Sequence, residues 1–164
     1  MARKARWDES SLDNGVVNVK LSSWKYFSDY INQEMLDYTT YIYRGHGNSK
    51  WKLEPTLDRI IKSPTSSQRK VHLNKFKYET RGRRGLHPSL LEDENDWWAL
   101  GQHHGLSTPL LDWTESPFVG LYFAASVAYA EQHKEYAVFA ISQSSINFNN
   151  DYIRKTNGIK LTVY

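Results

Sequence analysis

Hydrophobic and polar positions along the chain switch between a helical and a strand-like period. Trp24, Phe27, Ile31 and Met35 recur at helical spacing after Ser22 or Ser23, either of which can cap, and predict a helix over 22–36 of roughly four turns. Before it, "VVNVK" (16–20) alternates weakly as a short strand, and residues 1–14 read as a polar arm. "TTYIYRGHG" is β-branched and aromatic, then breaks at Gly45 and Gly47. This predicts a strand over 39–44 entering a tight turn, with Arg44 at the strand's last position. "KWKL" (50–53) reads as a second strand ended by Pro55, and a short helix follows from Thr56 to Ile61.

Between 68 and 87 the apolar pattern is incomplete and predicts a helix fraying at Gly82 and Gly85. A helix over 90–104 follows, with acids at its start, Leu91, Asn95, Trp98 and Gln102 on one face, and Gly105 as its stop. Ser116 then caps a helix over 117–131 with Pro117 in its first turn. "PFVGLYFAASVAYAEQ" is apolar on nearly every side, which predicts the buried centre of the fold. "EYAVFAIS" (135–142) reads as a buried strand and "IKLTVY" (159–164) as another. The pattern is therefore α+β, a mixed or antiparallel sheet packed by helices. A doubly wound parallel sheet would need a Gly-rich βα phosphate turn, which is lacking. We divide the chain into an arm and short strand over 1–21 and one domain over 22–164. Ending in mid-strand suggests a domain whose remainder is absent, or a very compact one.

Composition changes the picture in one respect. Six Trp, eleven Tyr and six Phe are more aromatic rings than a core of 164 residues needs. They fit either dense packing or a cleft for a planar ligand. Net charge is only +3, the chain has no Cys, and no run of about 18 apolar residues could span a bilayer. These features suit a cytoplasmic protein without disulfides, thiolate chemistry or membrane contact. Charge is concentrated locally instead: Arg69, Lys70, Lys75, Lys77, Arg81, Arg83 and Arg84 face a single acid, Glu79. That run is either a phosphate-tracking patch for nucleic acid or a solvated helix face.

The densest polar group lies in "WWALGQHHGLSTPLLDWTESP" (97–117). His103 and His104 diverge by about 100° on a helix and no H-E-x-x-H occurs, so no metal is expected. G-x-S-x-G is absent, which argues against a nucleophilic serine. Gln102, His103, His104, Thr108, Asp112, Trp113 and Thr114 nevertheless crowd together. Each would cost about 1–3 kcal/mol if buried without a partner, so they form either a shared network or a ligand site.

Two motifs then carry a resemblance. "YIYRGHGNSKWKLEPTLDR" resembles the [FY]-R-G opening and the L-x-P-[ST]-L element of the bacterial and phage FRG domain family. "QHHGLSTPLLDWTESPFVGLYFAA" resembles its Q-H-[HY]-G-L-P-T-R-L-L-D-W-T-x-N-P-x-x-A-L-Y-F-A signature. The likeness runs from about 39 to 142. Ser107, Pro109, Ser116 and Gly120 depart from the usual Pro, Arg, Asn and Ala, and the arginine lost at 109 removes an anion contact. A further segment found in family members past the 135–142 strand has no match here. The family is distantly similar to ADP-ribosyltransferases, so the resemblance implies an NAD-using enzyme that modifies nucleic acid or protein in phage–host conflict. On that reading Arg44 clamps the NAD phosphates, with His103 and Asp112 as the other catalytic groups. Tyr43, Gly45, Gln102, Thr108, Trp113, Thr114 and Tyr122 complete the cofactor site. Glu115, Glu131 and Glu135 are available carboxylates for a catalytic acid that has no clear counterpart. Two other readings stand beside it: a nucleic-acid-binding module or nuclease using the basic run, and a non-catalytic interaction domain in which Arg44 merely bridges to Asp112.

Overall fold

The computed structural model describes residues 5–11, 16–62, 64–83 and 91–147. It is an α+β structure with two small antiparallel sheets. The first pairs β1 (Trp7–Glu9) with β2 (Val19–Leu21), so the polar arm supplies a strand that its charged sequence does not announce. Trp7 meets the edge of Tyr30, and Arg6 pairs with Asp29, docking this sheet on α1 (Phe27–Glu34). The expected 22–36 helix is shorter than its pattern. Trp24–Tyr26 form a 3-10 turn and Trp24 is exposed, while Phe27 and Ile31 go inward.

The second sheet positions the site. β3 (Tyr41–His46) pairs with β4 (Ala137–Ser142), Arg44 opposite Phe139 and Gly45 opposite Val138. Across the other edge of β3, Tyr43 exchanges both backbone hydrogen bonds with Thr114, at 2.7 and 2.9 Å. "KWKL" does not join this sheet. Residues 51–55 run irregularly instead of forming the expected strand, after a turn in which Asn48 accepts from the Trp51 and Lys50 backbone.

The strand also passes straight through Gly45, where a turn was expected. The cause is α5 (Pro117–Ala130), which lies against β3 and β4. A Cβ on Gly45 would fall 2.1 Å from the Gly120 carbonyl oxygen and 2.6 Å from the Ala124 nitrogen. A Cβ on Gly47 would meet the Val127 side chain at 2.4 Å. Gly120, Ala124 and Ala128 form the buried side of α5, so helix and strand touch backbone to backbone. A methyl at Gly120, where the FRG signature has Ala, would sit 3.2 Å from the Tyr43 Cβ, a tight but local contact.

The expectation that α5 is buried all round is not met. Phe118, Val119, Tyr122, Phe123 and Tyr129 are exposed, because a two-stranded sheet covers one side of a helix only. For the same reason β4 is half-buried rather than fully enclosed. The expected 159–164 strand lies outside the described residues.

A satellite core joins three more helices. Leu57 of α2 (Thr56–Ile61), Leu73 of α3 (Ser66–Glu79) and Trp98 of α4 (Glu94–His103) are buried together, with Trp97, Leu106 and Leu110 around them. Thr65 and Asp93 open α3 and α4 with reciprocal capping boxes. Gly105 closes α4 as its sequence promised. Its φ is +82°, and the backbone bonds Gly105 to Gln102 and Leu106 to Gly101 complete a Schellman turn. Gly82 likewise follows α3 with a positive φ, and Gly85 lies outside the described residues.

Gly45→Ala is expected to cost about 3 kcal/mol or more, because backbone rather than a flexible side chain fills the space. Gly82→Ala, where a Cβ meets nothing within 4 Å, should cost only the backbone strain of a left-handed residue. Chemical denaturation of both variants measures the gap; equal costs would refute the close approach.

Candidate functional site

The loop leaving α4 is held from within. Gln102 donates through Nε2 to the Asp112 carboxylate and accepts through Oε1 from the buried Thr108 hydroxyl. The Thr108 carbonyl accepts from the Leu57 backbone at 3.1 Å, and His72 Nε2 lies 3.0 Å from the Ser107 carbonyl while stacking on Trp98. The polar density of the stretch is thus largely one network, with Gln102 as its bridge. Neither Gln102 nor Thr108 lines the cavity that the network builds.

That cavity, about 310 Å³, opens where β3 meets the loop. Tyr43, Arg44, Gly45 and His46 of β3, the Trp51–Lys52–Glu54 segment, Arg59 of α2, Asp112–Thr114 and Phe123 and Val127 of α5 surround it. The two sequence motifs therefore converge on one space. Arg44 and Asp112 meet there, but not as an ion pair: Arg44 Nη1 donates to the Asp112 backbone carbonyl at 2.7 Å. Its Nε donates to His46 Nε2 at 3.2 Å. Burial lowers the Arg44 pKa below the ordinary arginine value; the Asp112 charge raises it and the Arg59 charge lowers it. The guanidinium stays charged at any physiological pH, and its two partners are uncharged.

His46 orients this cation. To accept from Arg44 its Nε2 must be unprotonated, so the neutral ring carries its proton on Nδ1. The ring is 6% exposed, edge-on to Phe139 at 4.8 Å and to Trp51 at 6.2 Å, and Nδ1 is buried without a hydrogen-bond partner. Its pKa is lowered from 6.5, first by burial and next by the Arg44 charge. The nearby Trp51 backbone pulls the other way without meeting hydrogen-bonding geometry, and Arg59 lowers it further.

Other sequence-derived site residues lie elsewhere. His103 ends α4, exposed and edge-on to His104 at 5.2 Å, away from the cavity. Tyr122 is on the bare side of α5. The Tyr43 ring is no stacking wall, since it is buried and its hydroxyl donates to the Tyr38 carbonyl at 2.8 Å. Burial pushes the Tyr43 pKa up to about 12, so the phenol stays neutral. Among the carboxylates, Glu131 pairs with His133 and Glu135 accepts from Ser49, while Glu115 is exposed. None of these three lines the cavity; Glu54 does.

In the basic run, both Asp58 oxygens accept from Arg69 at 2.9 Å. Lys77 lies over Trp97 and Arg81 over Tyr78. Lys70, Lys75 and Arg83 are exposed, and Arg84 lies outside the described residues. Lys70 and Lys77 share one side of α3 by their seven-residue spacing and Lys75 projects from another, so the run does not form one stripe.

Sequence reasoning missed His46, Trp51, Lys52, Glu54 and Arg59. They stand inside the first quoted motif, but reading 50–53 as a strand hid that this segment curls around Arg44. Among the described residues no three metal-ligating side chains gather, and no helix is long and apolar enough to cross a membrane.

Fold and site define an α+β domain with a cation-lined, aromatic-walled cavity between an arginine-bearing strand and a braced loop. A family model described as the FRG domain matches residues 39–134, which include every residue around that cavity. The match covers more than half of the chain, and the chain belongs to the FRG domain family. No curated protein and no solved structure matches it.

Unfolded His46 takes up a proton near 6.5, whereas the folded ring resists it. The folded pKa is the lower one, so this contribution to stability is complete above about 6.5 and falls as the pH drops toward the folded value. The slope reaches at most about 1.4 kcal/mol per pH unit. Denaturation of wild type and His46→Gln from about pH 7.5 to about pH 5 reads it. The wild type should lose more stability than the variant, and parallel curves would contradict the assignment.

Proposed function

We propose that this FRG domain is an ADP-ribosyltransferase-like enzyme that uses NAD to modify nucleic acid or protein, the setting being phage–host conflict. One observation supports the reading above others. A permanently charged arginine, held by two neutral groups, faces a cavity that also has the Trp51 and Trp113 rings. An anion with a planar ring complements both features.

The residues present fit such a ligand. Arg44 uses Nε and one Nη1 hydrogen internally, which leaves further donors of its planar fork for phosphate oxygens. Trp51 and Trp113 offer surface to a ring. Ligand sites span about 300–1,000 Å³, so a cavity of this size encloses a nucleotide half rather than a whole dinucleotide. If NAD bound here, it would supply an ADP-ribosyl group through cleavage of its ribose–nicotinamide bond, a step that builds up positive charge at the ribose. Glu54 and Asp112 are the carboxylates placed to favour positive charge there. With one Asp112 oxygen held by Gln102, its carboxylate is fixed in orientation before any ligand arrives.

NAD at about ten times its Kd should raise the melting temperature by about 3–5 °C, and Arg44→Ala should abolish the rise. Arg44→Lys keeps the charge but not the fork and should restore only part of it. An unchanged wild-type melting temperature in millimolar NAD, or an equal rise in Arg44→Ala, removes the reading.

A further inference from the structure

Resting on the reading that Arg44 grips an anion, we infer that Lys52 and Arg59 form a second anion anchor in the same cavity. The site then selects ligands with two adjoining phosphate groups over ligands with one, the class of nucleoside diphosphates and their esters.

Three cations line this cavity, and none of them has a carboxylate partner among the described residues. Arg44 spends its bonds on a carbonyl and a neutral imidazole. Arg59 donates only to the Thr56 hydroxyl, at 3.1 Å. Lys52 has no side-chain hydrogen bond or ion pair among the described residues, although it lines the same space. The two carboxylates around the same cavity, Asp112 and Glu54, form no ion pair with any of the three. Asp112 is engaged by Gln102.

Proteins ordinarily meet a half-buried arginine with a carboxylate, as Asp58 meets Arg69 on the neighbouring helix of this chain. The Arg59 charge lowers the pKa of both Arg44 and His46, so the cations are near enough to oppose one another. Arg44 is half-buried while Lys52 and Arg59 are exposed, and like charges gathered around one opening gain nothing for the free protein. They become favourable when a polyanion spans them. One phosphate can satisfy the Arg44 fork alone, whereas the spare donors of Arg59 and Lys52 call for a second group. Trp51, adjacent to Lys52 and edge-on to His46 and His133, puts a ring surface beside that anchor. Cation count thus sets the ligand's charge, and the tryptophan sets where its ring lies.

Inorganic pyrophosphate and inorganic phosphate test the anchor without presuming which ring is bound. Affinities would be read by tryptophan fluorescence and melting temperature on wild type, Arg44→Gln and the double variant Lys52→Gln/Arg59→Gln. Wild type should bind pyrophosphate at least about tenfold more tightly than phosphate, and the double variant should lose that preference while still binding phosphate. Without ligand, the double variant should melt no lower than wild type, because it relieves repulsion. If it does melt lower, Lys52→Gln alone, at a side chain with no internal bond among the described residues, carries the same comparison. Equal affinity for the two anions, no binding of either, or a preference that survives in the variants overturns the inference. NAD separates the two proposals. Arg44-dependent NAD binding that is identical in the double variant keeps the NAD reading and removes the second anchor. A Lys52- and Arg59-dependent pyrophosphate preference without NAD binding does the reverse.

Discussion

The contact on which this structure depends is the one between the α5 and β3 backbones. No side chain separates Gly45 from Gly120 and Ala124, and the resulting approach leaves no room for even a methyl group on the strand. Such a contact cannot slide or breathe as an interface of leucines can, because backbone has no rotamers with which to adjust. On the strand's other side Tyr43 is bonded to Thr114 in both directions. Arg44 lies between these two fixed neighbours. Its side chain therefore emerges from one place, toward the cavity, and the loop carrying Asp112 is tied to the same point. The glycine after the arginine thus works for the fold first and for the site through it.

The site's electrostatics follow from that rigidity. A half-buried guanidinium is usually stabilised by an opposing carboxylate, but here the Asp112 backbone oxygen and the His46 ring take that place. Both hold direction without cancelling charge. One oxygen of the Asp112 carboxylate accepts from Gln102, which ties the loop to α4. The cation is thus oriented by two neutral groups, and strand and loop fix its geometry.

Much of this was legible in the residues. The stop at Gly105 and the start at Ser116 and Pro117 were, because these residues act through local backbone chemistry, whereas the start of α1 lay later than its pattern. So was the meeting of the two motifs, since Arg44 and Asp112 both stood in unusual polar surroundings. The passage of β3 through Gly45 was not legible. A glycine that turns the chain and a glycine that admits a helix look identical until the partner's small residues are seen in register with it. The strand expected at 50–53 failed too: that segment runs irregularly beside the cavity instead of joining the β3–β4 sheet. The bare side of α5 was hidden because apolar composition reports what could be buried, not what the described strands cover. His103 shows the limit of density as a guide. It belongs to a crowded stretch, yet helical geometry carries it outward while its neighbour Gln102 turns in.

A crystal structure of the chain grown with NAD would test the central claim most directly. The account predicts phosphate oxygens within hydrogen-bonding distance of the Arg44 guanidinium and a planar ring against Trp51 or Trp113. NAD bound at another surface, with Arg44 still holding only the Asp112 carbonyl and the His46 ring, would contradict it.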